Sequence, residues 1–198
     1  MAPQSTESQL LEGNAVLALR PAHVTDHPTL VHCVRNWWGD SRTPEEAREL
    51  SLLLPRLFLQ FFSRTSLILE EPGRPGSPGD AGEAGGEGRV RAFLVGFHAP
   101  ENESDAYIHF VGVHPALRGQ GVGRQLYAAF FERAAAAGRT DVRAIVSPGN
   151  AASLAFHQAM GFVPEGDGDR VVDGLPVHAD YDGPGEDRVC FRRRLGDH

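Results

Sequence analysis

The stretch Val111-Gly112-Val113-His114-Pro115-Ala116-Leu117-Arg118-Gly119-Gln120-Gly121-Val122-Gly123 decides how this chain is read. It passes from a β-rich run into a glycine-dense turn and out into a helix. Glycines at 119, 121 and 123 let successive backbone N–H groups converge without Cβ obstruction, and the helix start adds a positive end. That arrangement suits a phosphate or pyrophosphate, with Arg118 or Arg124 available for a charged contact. The same spelling also suits a plain, tight strand-to-helix turn. Two other phosphate loops are excluded. The Gly119-x-Gly121-x-Gly123 spacing differs from the dinucleotide fingerprint at its third glycine and falls late in the chain. A Walker-type loop needs a lysine, and the chain has none.

Working outward, Val122 to Ala137 reads as a helix with Val122, Leu126, Phe130 and Ala134 on one side, stopped by Gly138. Val142 to Val146 is an apolar strand. Asn150 caps a second helix, with an apolar ridge of Ala152, Phe156 and Met160 and a stop at Gly161. Phe162 begins an extended piece, and Asp187 to Arg194 alternates as a last strand. Upstream, Arg89 to His98 and Tyr107 to Val113 form a hairpin or meander. Ala15 to Leu19 and Ser66 to Glu70 are further strands, and Asp26 to Trp38 is a short helix with Leu30, Val34 and Trp38 on one side. Thr43-Pro44-Glu45-Glu46 spells a capping box for a helix towards Phe62. Its apolar side would be Leu50, Leu53, Leu54, Leu57, Phe58 and Phe61, kinked or broken by Pro55 near Leu54. Gly73 to Gly88 carries glycine at every third position but is too short for a triple helix, and it reads as a flexible insertion. This order of strands and helices implies an α/β or mixed α+β fold with a mixed sheet.

Composition bounds the function. The chain has 198 residues, 41% of them hydrophobic, with 19 basic residues against 26 acidic and a net charge of −7. One domain over residues 1–198 is the expectation at that length. The acidic balance argues against a phosphate-tracking nucleic-acid grip. Cys33 and Cys190 make no CxxC pair, and His23, His27 and His32 lack metal-ligand spacing, so no metal is expected. No apolar run reaches bilayer length, and Met1 to Gln9 has no signal-like pattern. A cytoplasmic location without membrane attachment follows as an expectation.

The run from Val111 to Gly123 resembles motif A of the GCN5-related N-acetyltransferases, the GNAT superfamily, whose hallmark is Arg/Gln-x-x-Gly-x-Gly/Ala after a strand. Asn150-Ala151-Ala152-Ser153-Leu154-Ala155-Phe156-His157-Gln158-Ala159-Met160-Gly161-Phe162 resembles motif B, in the expected order and one helix and one strand further on. The resemblance is specific across Tyr107 to Phe162. It implies a central mixed, mostly antiparallel sheet of six to seven strands flanked by helices. It also implies acetyl-CoA as acetyl donor. The pantetheine arm would pair with the backbone of Val111, Gly112 and Val113. The pyrophosphate would sit on Arg118, Gly119, Gln120, Gly121, Val122, Gly123 and Arg124. Asn150, Ser153, Phe156 and His157 would line the cofactor from motif B.

The chain departs from the family at His157, where many members carry a tyrosine that protonates the leaving thiolate. An imidazolium could donate that proton near neutral pH, or the ring could simply pack in the helix. Tyr107 and Tyr181 are substitutes. For the general base, Tyr107, His109, Val111 and Val113 share one strand face, making His109 the first candidate with Asp105 behind it. Trp37, Trp38 and Asp40 could hold an amine-bearing acceptor through aromatic surface and a carboxylate, or the indoles could be core. The long acidic loop from Asp167 to Gly185, with Tyr181, is a further acceptor candidate. Two functions remain open: N-acetyl transfer to a primary amine of a small-molecule or peptide acceptor, or an inactive acyl-CoA-binding module. A homodimer is compatible with either.

Overall fold

The computed structural model describes residues 10–12, 15–38, 42–71 and 89–196. Asp40 and the Gly73 to Gly88 insertion lie outside the described residues. In chain order the elements are β1 (Leu10–Glu12), β2 (Ala15–Pro21), α1 (His27–Trp37), α2 (Pro44–Ser51), α3 (Leu57–Phe62), β3 (Leu67–Glu71), β4 (Arg89–His98) and β5 (Asp105–Val113). They continue with α4 (Val122–Ala136), β6 (Asp141–Val146), α5 (Ala151–Ala159), β7 (Val163–Pro164), β8 (Arg170–Val172), β9 (Leu175–Val177) and β10 (Val189–Arg194). The strand order is β1-β2-β3-β4-β5-β6-β10-β7, with β8 and β9 paired separately. This is the mixed, mostly antiparallel sheet expected, with the three-residue β1 added at one edge. None of the described helices is long and apolar enough to cross a membrane.

Contacts gather into two compact units, Met1–Val95 with Phe110–Leu126, and Gly96–His109 with Tyr127–His198. Strands β4 and β5 and helix α4 contribute residues to both. In the first unit, α1 buries Leu30, Cys33, Val34 and Trp37, the i, i+3, i+4, i+7 stripe of an amphipathic helix. Trp37, not Trp38, completes that stripe, because the helix ends there and Trp38 is its C-cap. These side chains pack with Leu54, Leu59, Ile68, Phe93 and Val95. Burying a side chain the size of Phe93 contributes about 2–3 kcal/mol.

The Thr43 capping box forms as read: Thr43 accepts from the Glu46 N–H while the Glu46 carboxylate accepts from the Thr43 N–H at 2.7 Å. Pro55 breaks the helical stretch into α2 and α3 instead of merely bending it. The break resets the helical phase. Leu54 and Leu59 are buried, whereas Leu53, Leu57 and Phe61, expected on the apolar side, are exposed.

In the second unit β5 and β6 run parallel, with Asp105 opposite Asp141 and Tyr107 opposite Arg143. That ladder stops at Tyr107 while β5 continues to Val113. Arg143 bridges Asp105, at 2.7 Å, and Glu165. The second-unit part of α4 buries Tyr127, Phe130, Phe131 and Ala134, close to Phe162. On α5 the expected ridge holds in part, with Met160 buried and Phe156 half-buried. Ala152 is exposed, and the buried positions are Leu154 and His157, followed by Met160 at the C-cap. The Asp167 to Gly185 stretch is not all loop. Asp173 and Gly174 take φ values of 50° and 79°, the conformation of a two-residue hairpin turn, and join β8 to β9.

Candidate functional site

In the first unit the chain leaving β5 is shaped by its backbone together with the side chains of His114, Arg118 and Gln120. His114 accepts from the Ala116 N–H and opens a short 3₁₀ turn, Pro115–Leu117, closed by the Arg118 N–H on the Pro115 carbonyl at 3.1 Å. Gly119 and Gly121 then adopt φ values of 76° and 86°. A Cβ at either position would meet nothing within 4 Å. Conformation, not crowding, therefore demands glycine there. The first intrahelical bond of α4 runs from the Gln125 N–H to the Gly121 carbonyl at 3.1 Å. By helix geometry the amides of Val122 and Gly123 precede that bond and point out of the helix start. Open space above two left-handed glycines and a helix N-terminus together make a fit for a pyrophosphate.

Arg118 turns part of its guanidinium back onto the chain. Its guanidinium donates to the Val113 carbonyl at 3.2 Å and to the Trp37 carbonyl at 2.6 Å, and it lies over the Trp38 ring at 5.4 Å. It ties the loop to the end of α1. Two of its five N–H donors are used on these carbonyls, and the exposed side chain keeps others for an anion. Its amide stays part of the turn. The same contact fills the face of Trp38 with the chain's own cation. Trp37 is buried against Phe93 and edge-on to His114, so it is a core residue and not an acceptor wall. On β5, Val111 and Val113 are half-buried, and Gly112 is buried with the Phe93 ring packed where a Cβ would stand. Gln120 donates to the Ala116 carbonyl at 2.7 Å, and Arg124 is exposed.

In the second unit Asn150 caps α5, accepting from the Ser153 N–H at 3.1 Å. Phe156 is half-buried and edge-on to Tyr127, with ring centres 5.0 Å apart. His157 is 6% exposed. Its Nδ1 lies 2.8 Å from the Ser153 carbonyl and its Nε2 3.0 Å from the Tyr127 hydroxyl. A carbonyl only accepts, so Nδ1 carries the proton. Burial holds the ring's pKa below the ordinary histidine value, outweighing the Ser153 bond that favours the cation. The ring is therefore neutral, and Nε2 accepts from the phenol. Held this way, His157 has no N–H left to give to a leaving thiolate. That geometry opposes the general-acid role expected from its position.

His109 is half-buried on β5, on the same face as Tyr107. Burial pushes the Tyr107 phenol up, assisted by Tyr181 and Asp182, so it stays protonated at physiological pH. Tyr181 is 53% exposed and packs edge-on to His178, with ring centres 6.1 Å apart. The carboxylates near it are already paired, Asp182 with Arg188 at 2.7 Å and Glu165 with Arg143. Sequence reasoning missed Tyr127. Its signal was the 127, 130, 131, 134 stripe on α4, adjacent to the stripe that was read.

A family model described as the acetyltransferase (GNAT) family matches residues 33–162. L-2,4-diaminobutyric acid acetyltransferase from Nocardia farcinica is 34% identical over 74 residues, 37% of this chain. The match spans only 38% of that enzyme's length. The solved structure of Ard1 from Thermoplasma volcanium has the same fold, with a TM-score of 0.62 at 16% identity over 90% of this chain and 97% of that one. YncA from Salmonella typhimurium, solved with its cofactor acetyl-CoA, gives a TM-score of 0.52 at 19% identity over 93% and 96% of the two chains.

Proposed function

We propose, from the premise that this chain belongs to the GNAT acetyltransferase family, that it transfers the acetyl group of acetyl-CoA directly to a primary amine. The observation that carries the reading is the Arg118 to Gly123 turn, where two left-handed glycines and the start of α4 offer backbone donors to an anion. The acetyl-CoA held by YncA and the amino-acid acceptor named for the Nocardia enzyme support donor and acceptor class respectively. The acceptor is a small molecule or peptide bearing a primary amine.

Gly119, Gly121, Val122 and Gly123 would hold the pyrophosphate through their amides. The β5 edge beyond Tyr107, free of a ladder to β6, offers the backbone of Val111 and Val113 to the pantetheine arm. Asn150, Ser153 and Phe156 would line the arm from α5. Bound acetyl-CoA supplies an activated thioester, at whose carbonyl carbon the acceptor nitrogen replaces sulfur. The proton lost by nitrogen balances the one gained by the thiolate. A backbone N–H near Val113 would stabilise the oxyanion, and His109 is assigned as the base that receives the amine proton.

The engaged state of His157 favours a second reading, an acyl-CoA-binding module without turnover. Thiol release from acetyl-CoA, measured over a panel of primary amines with mass detection of the acetylated product, separates the two. Release that depends on one of the amines is the expected result. Acetyl-CoA binding with no release from any amine establishes the module instead.

A further inference from the structure

We propose that Tyr127 and His157 form a positioning pair: the Tyr127 phenol, the neutral His157 ring and the Ser153 carbonyl make one buried hydrogen-bond chain that seats α5 on α4. Through α5 the pair sets Asn150, Ser153 and Phe156, so the inference rests on the acetyl-CoA reading of those residues.

The geometry is over-determined. Tyr127 is 2% exposed, and a phenol buried that deeply needs a partner. The only hydrogen bond shown for its hydroxyl, among the described residues, is to His157 at 3.0 Å. His157 in turn stacks on Phe191, with ring centres 5.5 Å apart and planes 16° apart, and meets Phe162 and Phe156 edge-on. Its ring contacts on α4, α5 and β10 and with Phe162 are all uncharged. The guanidinium of Arg193 lies over Phe131 at 4.6 Å and binds the Met160 carbonyl at the end of α5. The ring is thus shut away from water, and that desolvation disfavours its cation, while the ring spends one nitrogen on each helix.

A tyrosine at position 157 could offer a proton outward. A histidine bridging Tyr127 to Ser153 cannot do so while the bridge is closed. The hydroxyl of Ser153, 3.4 Å from Nδ1, sits beside the same bridge. Loss of the bridge releases α5 at the turn that follows its Asn150 cap. The effect belongs on acetyl-CoA binding rather than on the chemical step.

Nitrogen-15 spectra of the histidine rings test the pair without any acceptor. The His157 ring should show a neutral Nδ1–H tautomer below about pH 6.5, where an ordinary histidine is already mostly charged. Tyr127→Phe keeps the ring packing and removes only the hydroxyl. It should raise the acetyl-CoA KM or Kd about tenfold, the scale of one lost buried hydrogen bond, with kcat within about threefold. His157→Gln can still donate to Ser153 and accept from Tyr127, and it should bind acetyl-CoA more tightly than His157→Phe. A ring that titrates together with a limb of the kcat profile overturns the proposal. So does a roughly 10²–10⁴-fold fall in kcat for His157→Phe at unchanged KM, the scale of a lost general acid. If no amine turns over, the enzymatic reading fails, while the tautomer and the calorimetric Kd still decide the pair.

Discussion

The turn from Arg118 to Gly123 and the helix α5, each proposed to contact acetyl-CoA, are built in different ways. The turn offers backbone donors. They are amides displayed by two glycines at positive φ with nothing near their Cβ positions and by a helix start, while the side chains of His114, Arg118 and Gln120 brace the loop. Helix α5 is held by side chains, through a phenol and an imidazole that lie 30 residues apart in sequence. A backbone site tolerates changes that leave φ alone and fails when a charge or a wrong conformation enters it. A side-chain anchor fails when one partner is removed, because the other is left buried and unsatisfied. The two halves should therefore respond to different mutations and to different solution conditions.

The largest effect is expected at the turn. Gly121→Asp adds a negative charge beside the pyrophosphate and forces a side chain into a left-handed conformation. Calorimetry should show acetyl-CoA affinity falling about 100-fold, in keeping with the several kcal/mol of a like-charge contact. Gly121→Ala carries only the conformational cost, about 1 kcal/mol or roughly fivefold. Equal losses for the two variants would mean that the charge does not meet a phosphate.

At α5, Tyr127→Phe should lower unfolding stability by about 1–3 kcal/mol in urea titrations, since the His157 Nε2 then has no donor. The same anchor carries a pH signature. The folded pKa of His157 lies below its ordinary value, so the native state prefers the neutral ring. The unfolded chain binds a proton first, near pH 6.5. The anchor's contribution is then full at neutral pH and is lost as pH falls from about 6.5 towards the lowered folded value. The wild-type denaturation midpoint should drop more steeply than that of His157→Phe on going from about pH 7.5 to 5. Parallel slopes would place the titrating group elsewhere.

The smallest effect belongs to a residue outside both halves. Phe61 is 70% exposed, so Phe61→Ser should change stability by no more than about 0.5 kcal/mol. A larger loss, measured by the same titrations, would mean that its ring is covered in solution.

The contrast also explains what could be read from the sequence. Backbone features leave a residue signature. Glycine at 119 and 121, the Thr43 capping box, the Asn150 cap and the Gly138 stop were each legible because one residue type suits the local φ or the orphan N–H. The α4 stripe was legible for the same local reason, as its period needs no partner. The α5 stripe was read only in part because its buried side includes a histidine, which no apolar count would select. Tyr127 was not paired with His157, since nothing local links them. Pro55 was recognised, but a proline does not reveal whether the helix bends or restarts in a new phase, and the restart exposes Leu57 and Phe61. The Asp173-Gly174 hairpin was written in plain turn chemistry between two short apolar runs. It was passed over because the surrounding acidic residues suggested a loop. The role of Trp38 was not legible either, because the cation over its ring is Arg118, far away in sequence.

The central claim is that backbone amides between Arg118 and Gly123 grip the pyrophosphate of acetyl-CoA. Calorimetric titration of the wild type and Gly121→Asp with acetyl-CoA and with acetylpantetheine, which has no pyrophosphate, tests it most directly. The account predicts that Gly121→Asp loses most of its affinity for acetyl-CoA and binds acetylpantetheine as the wild type does. Equal losses for both ligands, or none for either, would contradict it.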